Sequence, residues 1–187
     1  MHEKFISQTE ALRESLHDAT GWYQQISKTT ELIQLAFSQQ KKVLVAGNGG
    51  SATIAQHFAD EMVGRYRTNR PPLPIIALTA DSAVLTCIGN DFGFEEIFSR
   101  QVEALGQAGD VLLIFSTSGK SKNLLRAVRQ ATQQKLTTVA FTGSKSQIEQ
   151  ASCMVAAPSE DPPRIQELHL HAIHLICESF ESEQPNP

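Results

Sequence analysis

Four hydroxyl side chains fall within six residues at Ser116, Thr117, Ser118 and Ser121, with Gly119 and Lys120 between them. They follow the apolar run Val111–Phe115 and precede a helical pattern, so the segment reads as a strand-to-helix turn. At such a turn the unpaired N–H groups of the first helical residues favour an anion. The hydroxyls add donors, and Gly119 lets the backbone come close to a bound group. One helix cap would need one hydroxyl, whereas four suit a phosphate carried on a small molecule. The triplet Gly119-Lys120-Ser121 also suggests a nucleotide P-loop, but that motif needs glycine five residues before Gly119, where Ile114 stands.

A second turn, Gly47-Asn48-Gly49-Gly50-Ser51-Ala52, fits the looser form of a dinucleotide fingerprint. The acidic residue that should follow about 20 positions on is displaced to Asp81, which argues against a nicotinamide or flavin cofactor. Two turns rich in glycine or serine, each after a strand, suggest one shared pocket at the strands' carboxyl ends. Beyond Ser51, His57 and Glu61 stand four apart on one helical face, a spacing suited to metal binding or proton transfer. In isolation such a pair is usually an ordinary polar pair on a solvated face. His169, His171 and His174 crowd into six residues near the C-terminus, some of them expected in the core, and spacing alone leaves open which is functional.

The elements that must position these groups follow from hydrophobic patterning. Residues 1–40 read as helices, with Phe5, Leu12 and Leu16 on one stripe and Ile26, Leu32, Ile33, Leu35, Ala36 and Phe37 on another. Gly21 is expected to separate them. They could cover the core or pack on a neighbouring subunit. Five short apolar runs follow: Val43–Ala46, Pro74–Leu78, Val111–Phe115, Thr137–Phe141 and Cys153–Ala157. Each has the continuous apolarity of a strand buried on both faces. Helical patterns separate most of them, at Phe94–Leu105 and Leu124–Ala131, which argues for a parallel sheet covered on both sides. A last helix is expected from about Pro163 to Phe180, with a polar, frayed tail from Glu181 to Pro187.

Composition bounds the function. The 187 residues suit a single domain. A net charge of -4 argues against a general nucleic-acid binder but leaves room for a local anion pocket. Cys87, Cys153 and Cys177 are odd in number and form no CxxC pair, which disfavours a disulfide framework. With no apolar signal core and no run near the roughly 20 residues that span a bilayer, the expectation is a cytoplasmic protein with no membrane partner.

Taken together, the motifs resemble the sugar isomerase (SIS) family, and within it the phosphoheptose isomerases. The strings that carry the resemblance are Gly47-Asn-Gly-Gly-Ser51, Gln56-His-Phe-Ala-Asp-Glu61, Gly64-Arg-Tyr-Arg67, Arg70-Pro71, Gly89-Asn-Asp-Phe-Gly93, Phe98-Ser-Arg100, Gly109-Asp-Val-Leu-Leu113, Ser116-Thr-Ser-Gly119 with Ser121, and Arg164-Ile-Gln-Glu167 with His174. They occur in family order and spacing over about residues 40 to 180. The resemblance implies one SIS domain over residues 1–187, with N-terminal helices over 1–40 and a phosphosugar-binding core with its C-terminal helix over 41–183. The implied fold is an α/β sandwich, αβα, with a five-stranded parallel sheet, assembled as a homotetramer. The implied activity is aldose–ketose isomerisation of sedoheptulose 7-phosphate to D-glycero-D-manno-heptose 7-phosphate, toward the heptose of lipopolysaccharide.

By the same resemblance, Glu61 is the base and His174 the acid. Ser116, Thr117, Ser118 and Ser121 hold the phosphate. Asn48, Gly49, Gly50, Ser51, Asn90, Asp91 and Gln166 contact the sugar, with Arg65 near the site. Zinc, one per subunit and with no nucleotide cofactor, is implied at His57, Glu61, Gln166 and His174. Eight helical residues separate Gln166 from His174, an axial rise of about 12 Å. Both reach one ion if Gln166 sits at a loosened helix start, or if subunits share the site. Two departures stand out: Pro163 lies where relatives often have Asp, with Asp161 two residues earlier, and Ser144-Lys145-Ser146 follows Gly143 where many have paired glycines. Two alternatives are a non-catalytic SIS adaptor of the kind that binds a replication initiator, which loses the acid–base residues retained here, and an isomerase or sensor of another sugar phosphate.

Overall fold

The structure, a computed structural model, describes residues 1–181, so most of the tail expected to fray and the expected domain limit at 183 lie outside the described residues. Two N-terminal helices, α1 (His2–His17) and α2 (Thr20–Ser38), precede β1 (Val43–Gly47), α3 (Gly50–Val63) and β2 (Ile75–Ala77). Then come α4 (Ser82–Asp91), a 3-10 turn (Phe94–Glu96), α5 (Ser99–Leu105), β3 (Val111–Phe115), α6 (Lys122–Gln133), β4 (Thr137–Gly143), β5 (Cys153–Ala157) and α7 (Pro162–Glu178).

The five strands form one sheet in the order β2-β1-β3-β4-β5, parallel throughout. Alternation along each strand divides the core in two. Val43, Val45, Leu113, Phe115 and Phe141 face a layer that includes Ile33, Phe58, Leu168 and Ile173 from α2, α3 and α7. Leu44, Ala46, Leu112, Ile114 and Ala140 face Val102, Leu124 and Val128 from α5 and α6. Every residue of β1 and β3 is buried, which explains their unbroken apolar sequence. The expected αβα sandwich is therefore the observed fold.

Two local expectations are corrected. The first two helices part at Asp18–Ala19, and Gly21 lies in the first turn of α2. The pattern Phe94–Leu105 is not one helix but a 3-10 turn followed by α5. Between β2 and the 3-10 turn the chain also forms α4, whose Val84, Leu85 and Ile88 share the face packed on the core.

The chain direction changes between β1 and β3. From β1 it passes through α3 outward to β2, and from β3 through α6 the other way to β4. Right-handed crossovers then put α3 and α6 on opposite faces, as observed. A sheet that reverses its strand order this way leaves a crevice between the carboxyl ends of the two strands, here flanked by the two motif turns. At the opposite end, buried Asp110 ties the same strands together by accepting from Lys42 Nζ at 2.6 Å, Lys42 N at 3.0 Å and Gln107 N at 2.8 Å.

Candidate active site

The hydroxyl turn lies on one side of this crevice. Ser116 is buried at the end of β3, and its Oγ accepts from Gly119 N at 3.1 Å; Ser118 Oγ accepts from Lys120 N at 3.2 Å. A hydroxyl that accepts an N–H keeps its own proton to give, so both serines remain donors toward an anion. Gly119 adopts φ +66°, the left-handed conformation that closes the turn. Ser121 occupies the N-cap position of α6, yet its side chain makes no cap bond, which leaves its hydroxyl free too.

On the other side of the crevice, Asn48 and Asn123 form a reciprocal amide pair, Nδ2 to Oδ1 at 2.9 and 2.8 Å. The turn after β1 is thereby clamped to the start of α6. Asn123 carried no sequence signal beyond being polar, and its role is visible only once the two turns are adjacent. A cleft of about 340 Å³ opens on the β4 side of the hydroxyl turn, lined in part by Thr117, Ser118, Lys120 and Lys145. The Ser144–Ser146 segment forms part of its wall. Gly143 N and Ser146 Oγ donate to Thr117 O at 3.3 and 3.2 Å, and Lys145 pairs with Glu160 at 2.7 Å. Asp161 begins α7 without a side-chain cap bond, with Pro162 and Pro163 in the first turn.

The acid–base candidates come from two helices packed side by side, α3 and α7. His57 Nε2 stands 3.0 Å from His174 Nε2 and 3.3 Å from Glu61 Oε1. Among the described residues this trio is the cluster whose donor atoms all lie within 4.8 Å of one another. The Glu61 side chain is 17 % exposed, shielded yet reachable. His174 has its pKa lowered, chiefly because burial disfavours the charged ring and next because His57 is beside it; Glu61 opposes the shift. The ring of Tyr66, from the Gly64-Arg-Tyr-Arg67 string, lies 5.7 Å from that of His174.

The other two histidines differ. His169 is fully buried, its Nε2 3.2 Å from Thr142 O and its ring against Phe115 and Phe141. Burial pushes its pKa down to about 4, with the Thr142 carbonyl pulling the other way. His171 is exposed, 6.0 Å from the Trp22 ring.

The donor set suits zinc. Two ligands each about 2.0–2.1 Å from a tetrahedral ion stand about 3.3 Å apart, close to the spacings here, and two imidazoles with one carboxylate form a common catalytic set that leaves a fourth position open. Gln166 is the fourth ligand that the resemblance implies. It lies in regular helix two turns before His174, against Gly50 at the start of α3, where an added Cβ would stand 2.6 Å from its Oε1. The loosened helix start is thus not observed. Gly49 and Gly50 are exposed at the start of α3, and Ser51 is buried in its first turn. Arg65 is exposed just past the end of α3. Asn90 and Asp91 are exposed at the end of α4, and the hydrogen-bond partners of their side chains, among the described residues, are each other and Cys87, not the two turns.

The family model for the SIS domain matches residues 4–143. A phosphoheptose isomerase from a Bradyrhizobium strain is 50 % identical over 152 residues, covering 80 % of this chain and 77 % of that protein. Solved structures of phosphoheptose isomerases from Francisella tularensis and Neisseria gonorrhoeae superpose with TM-scores of 0.85 and 0.83, at 35 % and 37 % identity. Each covers 95 % of this chain, and the shares of the two solved chains covered are 94 % and 95 %. A crevice flanked by hydroxyl donors, an imidazole–carboxylate trio held between α3 and α7 and these matches over most of both chains lead to one conclusion: the chain belongs to the SIS-domain family and, within it, to the phosphoheptose isomerases.

Proposed function

We propose that this isomerase interconverts sedoheptulose 7-phosphate and D-glycero-D-manno-heptose 7-phosphate through an enediol, with Glu61 as base and His174 as acid. The observation that carries the reading is the approach of Glu61, His57 and His174 to one another across α3 and α7. A ketose becomes an aldose when the Glu61 carboxylate takes a proton from C1 and returns it to C2. Over the same steps O2 must gain a proton and O1 must lose one. A neutral imidazole carries one N–H and one lone pair, so His174 can serve both oxygens without a net change of charge. Its lowered pKa favours that neutral form.

Ser116, Thr117, Ser118 and Ser121 hold the 7-phosphate in this reading. Ser51 and the Asn48–Gly50 backbone face the sugar, Gln166 reaches it from α7, and Arg65, Asn90 and Asp91 complete the site from a neighbouring subunit. Zinc, one per subunit, would be held by His57, Glu61 and His174, with Gln166 as a fourth donor after moving away from Gly50. When bound it would polarise the substrate carbonyl and orient the adjacent hydroxyl. The assembly is a homotetramer, supported by apolar side chains left exposed on α1 (Phe5 and Ile6) and beside the β2 edge (Ile76 and Leu105). No described helix is long and apolar enough to cross a membrane, which accords with a cytoplasmic site of action and a product destined for lipopolysaccharide heptose.

Proton exchange tests the proposal. Incubation with sedoheptulose 7-phosphate in heavy water should place deuterium on the carbon next to the carbonyl and yield the aldose. Glu61→Gln should abolish both while sugar-phosphate binding stays measurable by calorimetry. Absence of aldose and of exchange in the wild-type protein, with zinc supplied, would sink it. Metal dependence has its own readout. Dialysis against a chelator should cut turnover at least tenfold, and zinc titrated back should bind at about one equivalent per subunit, with His57→Ala lacking that stoichiometry. Full activity with no bound metal would remove zinc from the account.

A further inference from the structure

Glu61 sits in the last turn of α3, where backbone carbonyls have no partner within the helix and the end frays unless capped. Arg70 supplies that cap from the following loop. Its Nη2 donates to Glu61 O at 2.8 Å and its Nη1 to Met62 O at 2.8 Å, while Leu73 N donates to Met62 O at 3.0 Å. A cation at this helix end also opposes the negative pole of the helix dipole.

The guanidinium is itself held. Arg70 Nε donates to Glu181 Oε1 at 3.3 Å, and both side chains are nearly buried, at 10 % and 6 % exposure. The other Glu181 oxygen accepts from Thr68 N at 2.8 Å and from the Thr68 hydroxyl. Glu181 stands three residues past α7, the helix that carries His174. The joint therefore links the end of the helix bearing the carboxylate to the end of the helix bearing the imidazole. An exposed helix end could be capped by water; here a buried arginine has a carboxylate of its own.

We infer that Arg70, locked by Glu181, is a positioning residue that sets the gap between the Glu61 carboxylate and His174. The inference rests on the reading of Glu61 as base. It acts through backbone placement and does not touch the phosphate turn, so its loss should appear in kcat and not in KM.

The test uses the full-length protein with Arg70→Ala, Arg70→Lys, Glu181→Gln and Glu61→Gln. Misplacement of a catalytic group by about 1 Å can cost about a hundredfold, so Arg70→Ala should lower kcat by about that factor and shift KM by less than about threefold. Arg70→Lys, which keeps the charge but not the fork, should fall in between. Guanidinium at tens of millimolar, well below denaturing levels, should restore part of kcat to Arg70→Ala and none to Glu61→Gln. If Arg70→Ala does not fold, a kcat loss at constant KM in Arg70→Lys and Glu181→Gln supports the inference, and wild-type kcat in both overturns it. An inactive Glu61→Gln beside a fully active Arg70→Ala overturns this inference alone. A Glu61→Gln enzyme that still turns over refutes the base assignment and this inference with it.

Discussion

His169 is a neutral imidazole sealed between two phenylalanines, with a pKa of about 4 in the folded chain. Once unfolded it takes a proton near the ordinary value of about 6.5. Between those limits the unfolded chain binds more protons, so the folded state is fully favoured above about pH 6.5 and loses that advantage as pH falls toward 4. The loss attributable to this group is about 3 kcal/mol. His169→Gln keeps a donor for Thr142 O without titrating. Its unfolding free energy, measured in urea from pH 7 to 4, should therefore fall by about 3 kcal/mol less than that of the wild type; equal slopes would refute the assignment. Three histidines within six residues could not be told apart from spacing, because their roles depend on what each helical face meets. His169 meets the sheet, His171 solvent and Trp22, His174 the face of α3. The place of the hydroxyl turn between β3 and α6, by contrast, was readable, since its residues are contiguous in the sequence.

Among the elements, the start of α6 offers a test of whether a serine caps the helix or binds the phosphate. Ser121 holds the N-cap position without a cap bond, so Ser121→Ala should change stability by less than about 0.5 kcal/mol, against about 1 kcal/mol for a working cap. Its KM for a sugar phosphate should nonetheless rise severalfold. A thermal melt beside steady-state kinetics separates the two effects, and a destabilised variant with unchanged KM would return Ser121 to a capping role. The strands were legible because burial on both faces leaves a continuous apolar run in β1 and β3. The helix α4 was not, because its apolar face, Val84, Leu85 and Ile88, spans little more than one turn and reads like any short apolar run. The break in Phe94–Leu105 escaped notice for the opposite reason: both pieces pack on α6, so the apolar spacing continues across the change of helix type.

For the whole molecule, the sequence implied parallel strands between helices but not their lateral order, and the site depends on that order. The crevice exists because β1 and β3 are neighbours, a fact carried by pairings such as Val45 with Leu113, 68 positions apart. The histidine–glutamate trio is more distant still, since His57 and His174 lie 117 positions apart. Non-local contacts form late, because the chain must first close the intervening loop. Activity is thus a clock for the final event of folding. After dilution from denaturant, far-ultraviolet circular dichroism should recover first as sheet and helices form, and turnover should lag until α7 docks against α3. Simultaneous recovery of both signals would show that the C-terminal helix joins at the outset. On the ribosome the same geometry means that the nascent chain holds a nearly finished sheet and no isomerase until its last helix has emerged.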